Sequence, residues 1–227
     1  MHILDFVFPK RCVGCGKIGK YFCDRCKLHI RIIEANEAIC PICERSAIDG
    51  ATHPRCKTRY TIDGLTSFFH YDGVIKNAIK AIKYRYISDL TREFVSLIPD
   101  NRIHGQIGFD KAVLVPIPLH ESRLRERGFN QAEILAKLLA KRLNISMKTN
   151  LIFRNKKTTP QVEMRDRKER LRNMEQVFSA SSSIRLSNYP TVLLFDDVFT
   201  TGATMRAAAS IFKRHGVQFV WGVTMAR

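Results

Sequence analysis

All seven cysteines of the 227-residue chain lie between Cys12 and Cys56, and none follows. They fall in pairs, Cys12-x-x-Cys15, Cys23-x-x-Cys26 and Cys40-x-x-Cys43, with His53-x-x-Cys56 as a fourth pair of the same spacing. Two thiolates on one tight turn span an edge of a tetrahedral zinc site, and a second pair closes it. Eight such side chains suit two Zn2+ ions, and Gly14, Gly16 and Pro41 are compatible with the turns. Sequential pairing puts Cys12, Cys15, Cys23 and Cys26 on one ion and Cys40, Cys43, His53 and Cys56 on the other; the spacing leaves an interleaved pairing open. A disulfide framework suits the pattern less well, because the cysteine count is odd and the opening Met1–Pro9 stretch has no basic leader or small-residue cleavage site. That stretch reads as a helix or strand packed on the protein. Closed four-ligand sites are structural, so residues 1–60 are expected to form a small metal-binding module and residues 61–227 a second domain.

The second domain is marked by Val192-Leu-Leu-Phe-Asp-Asp-Val-Phe-Thr-Thr-Gly-Ala-Thr204. A short apolar run bounded by Tyr189-Pro190 reads as a central parallel strand covered on both faces. Met205, Ala208, Ile211 and Phe212 then recur at helical spacing until His215-Gly216, and 217–223 reads as the next strand. In such a crossover the loop after the strand faces a crevice, where free amides of the following helix can hold an anion. Thr200, Thr201, Gly202, Ala203 and Thr204 supply amides and hydroxyls, and Asp196 and Asp197 supply acceptors for sugar hydroxyls. A phosphate and a ribose would fit there together, whereas the run lacks both the Walker A pattern and the dinucleotide glycine spacing.

A second buried-strand pattern, Ala112-Val-Leu-Val-Pro-Ile-Pro-Leu119, ends in prolines and leads into a turn carrying Arg123, Arg125 and Arg127. Guanidinium groups there could grip a diphosphate bidentately; arginines alone read equally as a solvated basic turn. The following helix has Ile134, Leu135, Leu138, Leu139 and Leu143 as its core face, with Lys137, Lys141 and Arg142 outside it. Ile75, Ile79 and Ile82 mark another helix, whose Lys76, Lys80 and Lys83 stripe is expected to face solvent. The net charge of +17 is uneven, with a basic segment containing Arg154, Lys156, Lys157, Arg165, Arg167, Lys168, Arg170 and Arg172. That segment reads as a loop and charged helix able to close over a phosphorylated substrate or track a nucleic-acid backbone. No apolar run reaches the roughly 18 residues that a membrane helix needs.

The Asp196–Thr204 segment resembles the signature of the type I phosphoribosyltransferases. The resemblance implies an α/β fold with a mostly parallel sheet flanked by helices, binding of 5-phosphoribosyl 1-diphosphate (PRPP) with Mg2+, ribose contacts at Asp196 and Asp197, and a 5-phosphate loop over Val198, Phe199, Thr200, Thr201, Gly202, Ala203 and Thr204. Together with the Cys-x-x-Cys-rich start, Lys83-Tyr-Arg85, Val115-Pro-Ile-Pro-Leu119, Arg127-Gly-Phe-Asn-Gln131, Thr159-Pro-Gln161 and Arg170–Asn173, it is similar to the ComF/GntX family over nearly the whole chain. That similarity implies a double zinc-ribbon-like module with one or two Zn2+ before a phosphoribosyltransferase-like domain, a diphosphate loop at Pro116, Ile117, Pro118 and Leu119, and anion contacts at Arg123 and Arg127. His53 stands where a cysteine would complete the fourth pair. The family is cytoplasmic and linked to competence and use of external DNA. Three readings follow: an enzyme transferring phosphoribosyl to an unknown acceptor, a phosphosugar sensor, and a factor that binds single-stranded DNA and docks a competence helicase or other DNA-uptake protein. No aromatic platform interleaves the basic runs, so DNA contact is expected through the backbone.

Overall fold

Apolar runs bounded by turn residues become the middle of one sheet. The computed structural model describes residues 9–84, 88–104, 112–155 and 177–227. Among these, the strands are β1 (Gly64–Phe69), β2 (Ala112–Pro116), β3 (Ser146–Met147), β4 (Ile152–Arg154), β5 (Phe178–Ala180), β6 (Thr191–Val198) and β7 (Phe219–Ala226). The α-helices are α1 (Asp24–Lys27), α2 (Gly73–Tyr84), α3 (Ser88–Ser96), α4 (Asp100–His104), α5 (Glu121–Arg127), α6 (Gln131–Leu143) and α7 (Ala203–Arg214). The opening eight residues, Arg85, and the basic stretch 156–176 with Thr159, Pro160, Gln161, Arg170 and Asn173 lie outside the described residues.

The sheet runs β1-β7-β6-β2-β3 with every neighbouring pair parallel, while β4 and β5 form a separate antiparallel pair. This is the mostly parallel sheet flanked by helices that the resemblance implied. Side chains of β6 alternate between two cores, as a strand with period two must. Val192 and Leu194 pack with Met205, Ala208 and Phe212 of α7; Leu193 and Phe195 pack on the other face, in the core holding Ile79 and Ile82 of α2 and Leu135 and Leu139 of α6. Each of these apart from Ala208 contributes about 1.5–3 kcal/mol by leaving water. The helical spacing read at α7 therefore marks a real core stripe.

Three expectations shift. On α6 the buried face is Ala132, Leu135, Ala136, Leu139 and Ala140, and Ile134 is only half-buried. The small alanines turn toward the sheet, where a large side chain would hold the helix away. Arg142, expected outside, donates to the Val95 carbonyl at 2.7 Å and pairs with Asp100 at 2.5 Å. The last strand runs to Ala226 because β1 extends beside it, and the buried hydroxyls of Ser67 and Thr224 satisfy each other at 2.7 Å.

Two crossovers leave the middle of the sheet in opposite directions. From β2 the chain passes through α5 and α6 to β3, whereas from β6 it passes through α7 to β7 on the other side. The carboxyl ends of β2 and β6 therefore part at a topological switch point, where an open α/β sheet forms its ligand crevice. The first cysteine turns pack beside this sheet. Cys12, Phe22 and Cys26 share a core with Phe69, Val74 and Phe94, and the Phe94 ring stands 6.0 Å from those of both Phe22 and Phe69.

Candidate functional site

The switch point holds a cavity of about 270 Å³. Its floor is the end of β6. Asp197 lies sealed at 5% exposure, and its Oδ2 accepts no aligned hydrogen bond, although the Lys83 ammonium stands 2.9 Å away in an ion pair. Asp196, partly exposed, accepts the Asp197 N–H at 2.8 Å. Burial first, and the neighbouring Asp197 charge second, push the Asp196 carboxyl up to about 8. Two adjacent carboxyl groups in a partly buried crevice want cations or hydroxyl donors, which suits sugar hydroxyls and a divalent ion.

Asp196 and Asp197 are followed by a loop whose shape depends on Gly202. Gly202 has φ 66°, and a Cβ there would come within 2.4 Å of the Phe199 ring. Phe199, 5% exposed, belongs to the core beneath the loop, so its side chain anchors the loop while the cavity is lined by Val198, Thr200 and Thr204. Gly202, Thr201 and Ala203 have no part in that lining. Helix α7 starts here, with the Arg206 N–H donating to the Gly202 carbonyl at 2.9 Å. The Arg206 guanidinium also reaches the Pro41 carbonyl at 3.0 Å and so joins this helix to the Cys40–Cys43 turn.

The opposite wall comes from β2 and the turn after it. Pro116 remains paired opposite Phe195, one residue further than a proline stop suggests, and the Ile117 N–H donates to the Phe195 carbonyl at 2.8 Å. Ile117 and Leu119 line the cavity; Pro116 and Pro118 do not. Asn130 caps α6 and donates to the Ile117 carbonyl at 3.0 Å, so one side chain fixes both the helix start and the loop. Arg123 and Arg127 line the cavity, Arg127 held by Gln131 at 2.8 Å, whereas Arg125 faces solvent and pairs with Glu121.

Sequence reasoning missed five lining residues, one of them Ala132 in the first turn of α6. Lys76 and Lys80 are exposed as expected, but Lys83, on the last turn of α2, turns into the crevice; its place as the first residue of Lys83-Tyr-Arg85 is the available signal. Asn130 and Gln131 stood in a quoted motif without a role. Arg154 was read as part of a basic loop, yet it sits on β4, lines the cavity and lies 5.5 Å over the Phe178 ring. Nothing in the local sequence marks it.

The paired cysteines form two clusters. Cys12, Cys15, Cys23 and Cys26 make one, and Cys40, Cys43, His53 and Cys56 the other, with the ligand atoms of each set within 4.8 Å of one another. The grouping is sequential. Gly14 is required at the first, because a Cβ there would meet the Cys26 sulfur at 2.7 Å. His53 turns Nδ1 to the Cys43 sulfur at 3.3 Å while Nε2 faces the Ser46 carbonyl at 3.0 Å, the outer hydrogen bond that fixes a ligating imidazole's tautomer. Burial opposes ionisation of Cys12, but the amides of Cys23, Cys15 and Gly14 outweigh it and bring the thiol down to about 6. Cys26, sharing hydrogen bonds with Cys23 and itself desolvated, is pushed up to about 12. Four thiols so close cannot all ionise without a cation, and the donor set fits structural Zn2+.

A double zinc ribbon beside a parallel α/β sheet with an acidic crevice at its switch point defines the class. The family model described as "Double zinc ribbon domain" matches residues 3–58. The chain is 29% identical to Competence protein F of Haemophilus influenzae over 170 residues, 72% of this chain and 73% of that protein. It is 29% identical to Competence protein ComFC of Bacillus subtilis over 212 residues, 86% of this chain and 78% of that one. DNA utilization protein YhgH of Salmonella typhimurium is 24% identical over 204 residues, 86% of each chain. The chain is thus a relative of the competence and DNA-utilisation proteins, and the resemblance to the ComF/GntX family is borne out. Among the described residues no helix is long and apolar enough to cross a membrane.

Proposed function

We propose that the crevice binds PRPP with Mg2+, and that the protein acts in competence or use of external DNA, as its relatives' names imply for them. The carrying observation is the Asp196–Asp197 pair at the end of the central strand, Asp197 buried and Asp196 opening to the cavity, with Thr200 and Thr204 beside it and Arg123 and Arg127 lining the same cavity. In this reading Asp196 and Asp197 accept from the ribose 2′- and 3′-hydroxyls, the loop 198–204 wraps the 5-phosphate, and the 116–119 loop with Arg123 and Arg127 takes the diphosphate. Mg2+ would supply charge neutralisation of the diphosphate oxygens. If transfer occurs, the C1–O bond to diphosphate breaks with its electron pair leaving on diphosphate, and an acceptor nucleophile bonds to C1. The protein's contribution to that step is electrostatic positioning of the substrate by groups fixed on the sheet ends. The reading includes two domains, 1–60 and 61–227, a cytoplasmic location, and a DNA-uptake protein such as a competence helicase as partner of the zinc module.

Calorimetric titration of the zinc-loaded protein with PRPP, with and without Mg2+, tests the site. Saturable binding that disappears in a folded Asp196→Asn, Asp197→Asn variant supports it, and unchanged binding in that variant refutes it. Diphosphate release in the same sample separates turnover from sensing.

A second reading, contact with a DNA backbone, has one structural observation in its favour. Tyr60, 37% exposed, lies under the guanidinium of Arg214 at 4.7 Å and beside that of Arg59 at 5.7 Å. This basic and aromatic spot was absent from the linear sequence, since residues 60 and 214 meet only in the fold. Single-stranded DNA binding of this kind falls steeply with salt, and a flat response would sink it.

A further inference from the structure

Arg154 has no role in the reading above, yet it occupies the same cavity as Arg123, Arg127 and Asp196. It comes from a different part of the chain than any other lining residue. Strand β4 pairs only with β5 among the described residues, and its last residue, Arg154, stands opposite Phe178 in the register. The guanidinium over the Phe178 ring at 5.5 Å is held by a cation–π contact and so is pre-aimed. Ile152 and Phe178 belong to the core under α7, which sets this small sheet on the face of β6 opposite α2. Asp197 is met by Lys83 from the α2 side, while Arg154 approaches the crevice from the other side.

The charge arrangement is informative. Burial, and then the nearby Arg123, hold the Arg154 guanidinium below its ordinary range, with Asp196 opposing them. Arg123 makes no ion pair among the described residues. Asp196 offsets part of the repulsion between the two guanidinium groups that line this partly closed cavity, and a bound polyanion between them would offset more. A single phosphate would be matched by one planar fork, whereas a diphosphate offers oxygens to several.

Resting on the PRPP reading, we infer that Arg154 and Arg123 together clasp the diphosphate end of the bound substrate, Arg154 from the β4–β5 sheet and Arg123 from α5. The cavity is then polarised along its length. Thr200 and Thr204 serve the singly phosphorylated end with hydroxyls, and arginines from two separate elements serve the more highly charged end. Since the β4–β5 pair carries one arm of the clasp, substrates without a diphosphate leave that arm unengaged.

The test compares two ligands on one protein: PRPP and ribose 5-phosphate, titrated calorimetrically with Mg2+ into the wild type, Arg154→Ala and Arg154→Lys. Losing a charge-assisted hydrogen bond should weaken PRPP binding by about 10–100-fold in Arg154→Ala, with ribose 5-phosphate binding changed less than about twofold. Arg154→Lys, which keeps the charge and its packing on Phe178, should lose less. PRPP affinity unchanged in Arg154→Ala overturns the inference alone, as does an equal loss of both ligands in variants that unfold at the wild-type temperature. A wild type that binds neither ligand overturns the PRPP reading and the clasp with it.

Discussion

Lys83 Nζ lies 2.9 Å from Asp197 Oδ2, tying the last turn of α2 to the acidic end of β6. The Asp197 side chain is 7% exposed and that of Lys83 25%, so the pair is shielded on one side only. Lys83→Met should therefore cost about 1–3 kcal/mol, less than a wholly buried pair, because it leaves a sealed carboxylate without its cation. Adding Asp197→Asn should restore most of that loss. Urea unfolding of the four proteins of this cycle gives the coupling directly, and additive effects would mean the contact contributes nothing.

Asp196 makes stability depend on pH in the opposite sense from an ordinary surface carboxylate. Its folded value of about 8 lies above the unfolded value near 3.8, so the native state keeps a proton that the unfolded chain releases. This contribution to stability is largest below about pH 4, is lost as pH rises toward 8, and is level above that. Asp196→Asn should flatten the profile between those limits, as read from denaturant midpoints at pH 5.5 and 8.5. An identical slope in wild type and variant would contradict the raised value.

Gly202 and Arg206 shape one end of the crevice. Gly202→Ala should distort the loop and cost about 1–3 kcal/mol, because the left-handed φ and the Phe199 ring both oppose a Cβ. Arg206→Ala should cost about 1 kcal/mol through the lost bond to Pro41, and should weaken phosphosugar binding more than it lowers the melting temperature. Thermal melts beside titrations distinguish the two effects. A binding loss no larger than the stability loss would leave Arg206 a purely structural residue.

The two cysteine clusters should hold two zinc ions with unequal consequences. His53→Ala should lower the zinc content from about two per chain toward one. Cys26→Ser should unfold more of the protein, since Cys12 and Cys26 share the core with Phe22, Phe69 and Phe94. Zinc released to a chromophoric chelator, read against circular dichroism, checks both. Full zinc content in His53→Ala would remove His53 from the ligands.

What was legible in the sequence was whatever a short stretch dictates by itself. The run 192–195, the acidic pair, Gly202 and the helical stripe after it all follow from local patterning, and so do the cysteine turns. Lys83 and Arg154 were not legible in that way. Lys83 resembles any lysine on an amphipathic helix until β6 brings Asp197 to it, and Arg154 resembles a loop arginine until β5 supplies Phe178. The Ile134 face was misjudged for a related reason: spacing gives the period of a helix, but the sheet selects which residues of that period come closest, and it selected alanines. Phe199 lay within the resemblance-derived loop, yet an aromatic ring there fills the core.

The pairing of β1 with β7 bears on how this chain is made. Ser67 meets Thr224 across 157 residues, and among the described residues β7 is the strand neighbour of β1, while Ile32 and Ala51 bridge to Phe69 and Gly64 at its ends. During synthesis the cysteine turns emerge before β1, so the bridges from Ile32 and Ala51 can hold it while the edge that takes β7 stays open for almost the whole remaining chain. Closure of the sheet therefore waits for its last strand, and the crevice, which needs β2 and β6 together, is assembled after the cysteine segment is available to metal.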